Sequence, residues 1–173
     1  MMLRKRTLGL LTGVCIMLSV GGAYAATQVV NANIKFLTNI TFVVNQVPDF
    51  GEVIAGTAGT YTLDTADTVT ATLGGVKEGG TTKSGNITIK GSAGQVINIS
   101  TAGGYGIVGG VTPSAATCLY GAAVSGADCT FTGAAAPTNA GTVLKMGLKL
   151  AADGTQTDGT TVHPTVTLTV LYQ

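Results

Sequence analysis

The chain has 173 residues, of which 10% are charged, and its formal net charge at pH 7 is +1. Three of its nine lysines and arginines stand together at positions 4–6, and the other six are lysines scattered through the rest of the chain. Without a basic cluster after residue 6, the sequence lacks the electrostatic footprint of a nucleic-acid-binding protein and the polybasic patch of a protein that binds anionic membranes.

The N-terminus has the order of features found in a secretory signal peptide. The basic sequence RKR at positions 4–6 precedes an apolar stretch at residues 8–20, and the small-residue sequence AYA ends at position 25. This order predicts residues 1–25 as a signal peptide that is cleaved after Ala25. A membrane anchor is the alternative, but the apolar stretch is shorter than the roughly 20 residues that a span requires. The 148 residues that remain suffice for one domain with its own core.

Hydrophobic and polar side chains alternate from residue 28 to residue 46, in the sequence QVVNANIKFLTNITFVVNQ. The alternation predicts a β-strand with one buried face. A single strand of this length would span about 60 Å, which is more than a small domain is wide. We therefore interpret residues 26–37 as an N-terminal extension and residues 38–46 as the first strand of the domain.

The extension needs a cover for its apolar side chains, which are Val30, Ala32, Ile34 and Phe36. Left in water, they would form an edge that is prone to aggregation. In one interpretation the chain bends near Leu37 and pairs its two halves with different sheets of the same domain. In the other, which we favour, the extension is a donor strand that completes the sheet of a neighbouring subunit. A joint of this kind runs head to tail, so it propagates into a fibre.

Short alternating runs bounded by Gly, Asn, Asp and Thr continue through the rest of the chain, whereas helical periodicity is hard to find after residue 25. These runs predict an all-β domain over residues 38–173, and their spacing favours a β-sandwich over a closed barrel. Two Asp-Gly pairs, at 153–154 and 158–159, predict a hairpin connection between the last two strands. The predicted strands are residues 60–63, 68–73, 86–90, 95–100, 105–111, 130–132, 143–150 and 162–172.

Two cysteines, Cys118 and Cys129, follow the predicted signal peptide. Disulfides form and persist in exported proteins, so we expect an intramolecular bridge that closes a short loop. An intermolecular bridge and a metal-binding pair are the alternatives. His163 is the only histidine, and it leaves too few ligands for a zinc site.

The residue patterns do not indicate catalysis. His163 has no serine or cysteine motif beside it, and the sequence contains no G-x-S-x-G elbow. The carboxylate pairs Asp64 with Asp67 and Asp153 with Asp158 stand in turn sequences, where Asp is favoured for local hydrogen bonds. The stretch ADGTQTDGTT lacks the spacing of a calcium-binding loop. We predict a protein that is not an enzyme, with no catalytic, cofactor-binding or metal-binding residues.

Aromatic side chains that could stack on a sugar are few. The chain has no tryptophan. Tyr105 and Tyr120, which stand in glycine-rich surroundings, are the candidates for a carbohydrate site.

The leader, the segment TQVVNANIKF, the single disulfide and the C-terminal sequence VTLTVLYQ together resemble bacterial pilins of the chaperone-usher kind. The chains of those pilins end in an alternating strand with a penultimate tyrosine. The stretches PDFGEVIAG, SAGQVINIS and HPTVTLTVLYQ are similar to the secreted bacterial family known as domain of unknown function 4402, and this likeness covers most of the chain after residue 25. The alternating C-terminal positions here are Val166, Leu168, Val170 and Tyr172.

The resemblance implies an immunoglobulin-like or pilin-like β-sandwich with an N-terminal extension strand. It also implies partners: a periplasmic chaperone that binds the last strand and the C-terminal carboxylate, an outer-membrane usher, and other copies of the chain or related pilin subunits. Familiar pilins join early strands through their cysteines, whereas Cys118 and Cys129 lie late in this chain. The detailed strand order of the family is therefore not carried over.

From these features we expect a non-enzymatic structural subunit of a bacterial surface fibre that assembles by β-strand addition and has a role in adhesion. The subunit would pass through the periplasm and end at the cell surface. The alternative is a monomeric secreted or periplasmic β-sandwich module that binds glycans or cell-surface ligands. An exported hydrolase is the third hypothesis.

Overall fold

The computed structural model describes residues 31–173. The predicted signal peptide, residues 1–25, and Val30 of the predicted donor strand lie outside the described residues. Residues 36–173 form one compact unit, and residues 31–35 belong to another. No helix in the described part of the chain has the length and apolar character needed to cross a membrane.

The compact unit is built almost entirely of β-strands, as its sequence predicts. Six predicted strands are confirmed as β3, β4, β6, β7, β11 and β12, with ends that differ by at most three residues. Between residues 31 and 173 the elements are β1 (Thr41–Gln46), β2 (Glu52–Val53), β3 (Ala58–Leu63), β4 (Val69–Thr72), β5 (Lys77–Gly79), β6 (Gly85–Lys90), β7 (Ile97–Ser100), β8 (Tyr105–Gly106), β9 (Val111–Tyr120), β10 (Ala123–Val124), a 3₁₀ turn (Ala127–Cys129), β11 (Phe131–Ala134), β12 (Thr142–Asp153), β13 (Thr165–Val166) and β14 (Thr169–Tyr172).

The long strand β12 is the centre of the larger sheet. β9 pairs with one edge of β12 along nearly its whole length. The other edge is shared, because β6 pairs with the first half of β12 and β3 with the second half. β1 lies outside β6, β4 lies outside β3, and every pairing is antiparallel. The second sheet has the strand order β11-β7-β14, and two short pairs, β8 with β13 and β2 with β5, complete the fold.

The hydrophobic core lies between the two sheets, which makes the fold a β-sandwich. Alternate residues of β12 face inward, because successive side chains of a strand point to opposite sides. They meet side chains from β7 and β14 of the second sheet in one cluster. The residues of this cluster that come from these three strands are Leu144, Met146, Leu148, Leu150, Ile97, Ile99 and Val170, and each is at most 8% exposed.

The sequence pattern does not predict β9, although β9 is a ten-residue strand. Pro113 argues against a strand in the sequence, because proline cannot donate a hydrogen bond to a β-ladder and is rare inside sheets. The pairing with β12 shifts at this point: Ala115 lies opposite Lys149, and Pro113 lies opposite Leu150. Ser114 is therefore an extra, bulged residue, and the odd-numbered residues before it face the same core as the even-numbered residues after it.

Two predictions, one about a strand and one about a connection between strands, are wrong. The predicted strand at residues 105–111 is divided, because Gly109 and Gly110 both have positive φ and turn the chain between β8 and β9. The predicted hairpin after β12 is a crossover, since β13 and β14 pair with β8 and β7 and not with β12. The two Asp-Gly pairs thus mark the start and the middle of a connection between sheets.

The last predicted strand, residues 162–172, is also divided, into β13 and β14. Between these two strands the Thr167 amide donates a hydrogen bond to the carbonyl of Gly104. A Cβ on Gly104 would lie 2.6 Å from the carbonyl oxygen of Thr167, so the two backbones approach closely. The chain turns just before this glycine, at Ala102 and Gly103, and the turn interrupts the ladder between the pairs β7 with β14 and β8 with β13.

Cys118 and Cys129 form the predicted intramolecular disulfide, with the two residues 11 positions apart. The bridge joins β9 to the 3₁₀ turn, and both cysteines are fully buried. Asp128 and Cys129 have φ values of +52° and +54°, a backbone conformation that residues other than glycine rarely adopt. A bridge that closes a loop of this length contributes about 3 kcal/mol to stability, and here it also holds the turn.

Asp67 ties the turn between β3 and β4 to the start of β6. Its carboxylate accepts hydrogen bonds from the Ser84 amide, at 2.6 Å, and from the Ser84 hydroxyl, at 2.7 Å. These bonds hold the pKa of Asp67 below its ordinary value, and the bond from the amide has the larger effect. A carboxyl group whose pKa is lowered by folding stabilises the fold above its ordinary pKa of 3.8, and this contribution is lost as the pH falls through the pKa of the folded state.

We predict that Asp67→Asn makes the free energy of unfolding less dependent on pH between about pH 5 and pH 2. Asparagine keeps an oxygen acceptor and tolerates the φ of +67° at this position, but it does not titrate. Urea unfolding at a series of pH values measures the effect. Asp158→Asn, which removes a charge from an exposed turn, is the control and should keep the pH dependence of the wild type. Equal pH dependence in Asp67→Asn and the wild type would contradict the prediction.

Candidate functional site

The described part of the predicted donor strand is exposed. Residues 31–40 belong to no strand, and the side chain of Ala32 is exposed. Ile34 and Phe36 are 75% and 84% exposed. Residues 31–40 therefore form no paired strand. The interpretation with a bend near Leu37 needs such a strand, because it pairs both halves with sheets of the same domain.

The first strand, β1, has an uncovered inner side. β1 begins three residues later than predicted and pairs only with β6 among the strands of the described chain. Phe42 lies opposite Ile89 and Val44 lies opposite Ile87, so both project from the core side of the sheet. They are nevertheless 44% and 60% exposed. In the described part of residues 28–46, Ile40 packs against the core, whereas Phe42 and Val44 are only partly covered within their own chain.

The free edge of β1 carries no charge that would discourage pairing with another strand. The thirteen residues from Phe36 to Pro48 include no Lys, Arg, Asp or Glu. Natural sheets protect their edges with charged residues, prolines or bulges. In β1 the register shifts between Val44 and Gln46, near the end of the strand, and the residues before the shift pair regularly. Most of this edge is therefore suited to accept a further strand.

The four residues predicted as the gripped side of the C-terminal strand all face inward. Val170 is buried, and Val166, Leu168 and Tyr172 are partly buried against the core. The odd-numbered residues between them are exposed, Leu171 at 62%. Of the strands in residues 31–173, only β7 pairs with β14, so the other edge of β14 is also unpaired.

β1 and β14 lie on the same side of the sandwich. β6 and β7 follow one another in the chain but belong to opposite sheets, and their isoleucines share one core cluster. β1 flanks β6, and β14 flanks β7. The hydroxyl of Tyr172 in β14 lies 2.7 Å from the carbonyl oxygen of Thr38, shortly before β1. We name the region between these two unpaired edges the open side.

Hydrogen bonds of Tyr172 close one end of the open side. The Tyr172 hydroxyl donates to the Thr38 carbonyl and accepts from the Ser92 amide, at 2.6 Å. The Thr38 amide in turn donates to the Ser92 hydroxyl. We name these three residues the Tyr172 latch. Sequence reasoning singled out Tyr172 but missed Thr38 and Ser92. The one available signal was that Thr38 is a polar residue in the middle of the apolar register of residues 30–44.

A cleft of about 470 Å³ lies next to the latch. Its side chains supply hydroxyl and amide groups and one ammonium group, so they offer both donors and acceptors to a polar molecule. The cleft is lined by Thr38, Asn39, Thr41, Lys90, Gly91 and Asn139.

We predict that Gly91→Ala destabilises the protein by about 1 to 3 kcal/mol, because overpacking beside the latch forces neighbours to move. A Cβ on Gly91 would lie 2.5 Å from the Tyr172 hydroxyl oxygen and 2.8 Å from Cγ of Pro137. Gly126→Ala is the matched control, since its Cβ would have no neighbour closer than 3.7 Å and its φ is −68°. Urea unfolding of both variants checks the difference, and equal stabilities would refute it.

The candidates for catalysis or metal binding are not brought together. His163 is exposed and precedes β13. Asp64 accepts hydrogen bonds from amides within its own turn. Asp153 accepts from the amide and hydroxyl of Thr155, and the bond from the amide is the main reason that its pKa is lowered. In residues 31–173 no three His, Cys, Asp or Glu side chains are grouped as they would be around a metal ion.

The two tyrosines considered for carbohydrate binding do not present free rings. Tyr120 is 3% exposed and packs against Phe131, with ring centroids 6.1 Å apart. Tyr105 is partly buried, and its hydroxyl donates to Asp128 at 2.8 Å. Burial raises the pKa of both hydroxyls. These two candidate rings are therefore not both available to stack on a sugar.

The chain was compared with protein-family models, with curated proteins and with solved structures, and no match was found in any of the three. The likeness to pilins therefore stays a prediction from the residues quoted above. The described residues themselves establish a β-sandwich with two unpaired edges, exposed inward-facing side chains and a cleft on one side.

Proposed function

We propose that this protein is an exported, non-enzymatic structural subunit of a bacterial surface fibre. The extension of one copy, residues 26–37, enters the open side of the next copy and pairs with its edges. The observation that carries the proposal is the exposure of Phe42 and Val44, which face the core side from an uncharged edge strand. Such a strand in a stable protein needs a cover, and the extension has the matching alternation of apolar side chains.

The energy terms require that the extension pairs with the backbone of the acceptor. Ordering about ten residues costs roughly 10 to 20 kcal/mol. Burial of four apolar side chains, at about 1.5 to 3 kcal/mol for each of the large ones, does not offset that cost alone. Main-chain hydrogen bonds to the unpaired edges, at about 0.5 to 1.5 kcal/mol each, supply the rest. This arithmetic favours an acceptor with two edges, β1 and β14, over a simple apolar groove.

The C-terminal strand has a different part in this proposal. Val166, Leu168, Val170 and Tyr172 point into their own core, so a partner would meet the backbone edge of β14 and not these side chains. A periplasmic chaperone would hold that edge during export, and an outer-membrane usher would exchange it for the extension of a neighbour. The exposed Leu171 lies on the outer face of β14, where it is available to a partner.

We predict that deletion of residues 26–36 abolishes assembly and leaves a folded core. The deleted segment includes Ile34 and Phe36, which are exposed in the isolated chain. Circular dichroism checks the fold, and electron microscopy with size-exclusion chromatography checks assembly. Fibres formed by the truncated protein would rule out the donor role.

We predict that Val44→Lys reduces the rate of assembly at least tenfold with little effect on stability. Val44 is 60% exposed, so a lysine can reach water in the free subunit, but it would be buried under an added strand. Val124→Lys is the matched control, because Val124 is 76% exposed on β10, away from the open side. Light scattering at equal concentrations measures the rates. Equal rates for the two variants would show that the open side is not the acceptor.

The cleft beside the latch supports a second candidate, a monomeric secreted module that binds glycans. Its hydroxyl, amide and ammonium groups are suited to sugar hydroxyls. A stable monomer in size-exclusion chromatography at high concentration, with residues 26–37 protected from protease, would favour the module. A monomer that joins into oligomers as concentration rises would favour the fibre subunit.

A further inference from the structure

The Tyr172 latch connects β14, one edge strand of the open side, to Thr38, the residue that follows the extension. Tyr172 belongs to β14, one of the two unpaired edges. Thr38 lies three residues before the start of β1, and both of its backbone polar groups are held: the carbonyl by the Tyr172 hydroxyl and the amide by the Ser92 hydroxyl. Ile40, which follows, packs against the core cluster. Phe36, two residues before Thr38, is 84% exposed.

We propose that Tyr172 is a positioning residue for strand donation, which fixes the chain at Thr38, directly after the extension, before the extension enters a neighbouring subunit. This inference rests on the proposed function. Tyr172 then acts when its own subunit donates the extension. The strand that carries it, β14, is nevertheless an edge of the open side, which accepts the extension of a neighbour.

The physical reason is preorganisation. A donor strand must be ordered when it enters its neighbour, and any residue that is already fixed reduces that cost. Fixing the backbone of one residue is worth a factor of roughly 5 to 30 in an equilibrium constant. Loss of the Tyr172 hydroxyl would free the Thr38 carbonyl and leave Ser92 as the remaining hold. The acceptor edges themselves would stay in place, because β14 keeps its ladder with β7.

The test uses Tyr172→Phe in the full chain from residue 26 onward, which removes one oxygen atom and keeps the ring. Tyr61→Phe is the matched control. Tyr61 is 3% exposed, and its hydroxyl has no hydrogen-bond partner within residues 31–173. The same chemical change is thus made once at the latch and once at a hydroxyl without a bond.

Three measurements separate positioning from a structural role. Hydrogen exchange of the Ser92 amide reports on the latch, because that amide donates to the Tyr172 hydroxyl. Elongation of preformed wild-type fibres, followed by light scattering, reports on donation and acceptance together. Fluorescence anisotropy with a labelled synthetic peptide of residues 26–37 reports on acceptance alone.

We expect Tyr172→Phe to accelerate Ser92 exchange at least tenfold, to slow elongation about 5- to 30-fold and to leave the affinity for the peptide within twofold of the wild type. Tyr61→Phe should leave all three unchanged. Equal loss of elongation and peptide affinity in Tyr172→Phe would overturn the inference, because the tyrosine would then act through the acceptor fold. Unchanged elongation, or unchanged Ser92 exchange, would also overturn it.

Failure of the proposed function would give a different result. The wild-type protein itself would neither elongate fibres nor bind the peptide, and the inference about Tyr172 would fail together with the proposed function. Ser92→Ala is the second variant if Tyr172→Phe does not fold. It removes the acceptor of the Thr38 amide while the Tyr172 hydroxyl remains, and it should slow elongation without changing peptide affinity.

Discussion

A β-sandwich is stable when the inward-facing side chains of its edge strands are covered, and the two sides of this molecule meet that requirement differently. On the side of β9, the inward-facing residues Ala116, Cys118 and Tyr120 are at most 3% exposed. On the open side, Phe42 and Val44 project from the same face of the same sheet and remain 44% and 60% exposed. The hydrophobic effect that closes the first side is left unsatisfied on the second. The proposed function and the importance of the extension both depend on this difference.

The order of the strands explains why the open side stays open. Both edges of β12 are already occupied, one by β9 and the other by β6 and β3. The chain after Asp153 therefore cannot return beside β12 as a hairpin, and it crosses to the second sheet, where β14 pairs with β7. Among the strands of residues 41–173, none pairs with the second edge of β1. The uncommitted alternating segment is the one before Thr38, and its described residues make no strand of their own.

The parts of the fold that depend on local pattern could be predicted from the sequence. Period-two alternation located β6, β7 and β12, and it placed Val166, Leu168, Val170 and Tyr172 on one face because that pattern is a property of the strand itself. The pairing of Cys118 with Cys129 followed from their number. β9 could not be predicted, since Pro113 lies at the edge of the sheet beside a bulge at Ser114, and both the edge and the bulge depend on the partner strands. The crossover after β12 and the latch at Thr38 depend on which strand edges are already paired elsewhere in the fold. The local pattern of a single sequence does not show these pairings.

The latch also bears on the stiffness of a fibre built from such subunits. In a head-to-tail assembly, the angle between neighbours is set at the point where the donor strand leaves its own domain. If that point were free, the chain between the extension and β1 would act as a flexible linker whose reach grows with its length. Here Ile40 packs on the core and Thr38 is held at its carbonyl and its amide, so the chain is anchored at Thr38. In the proposed fibre, this anchor would shorten the linker between the extension and its own domain. In the proposed fibre, Tyr172 would bear on both ends of the joint, because it belongs to β14, an edge of the open side, and its hydroxyl contacts Thr38, the residue that follows the extension.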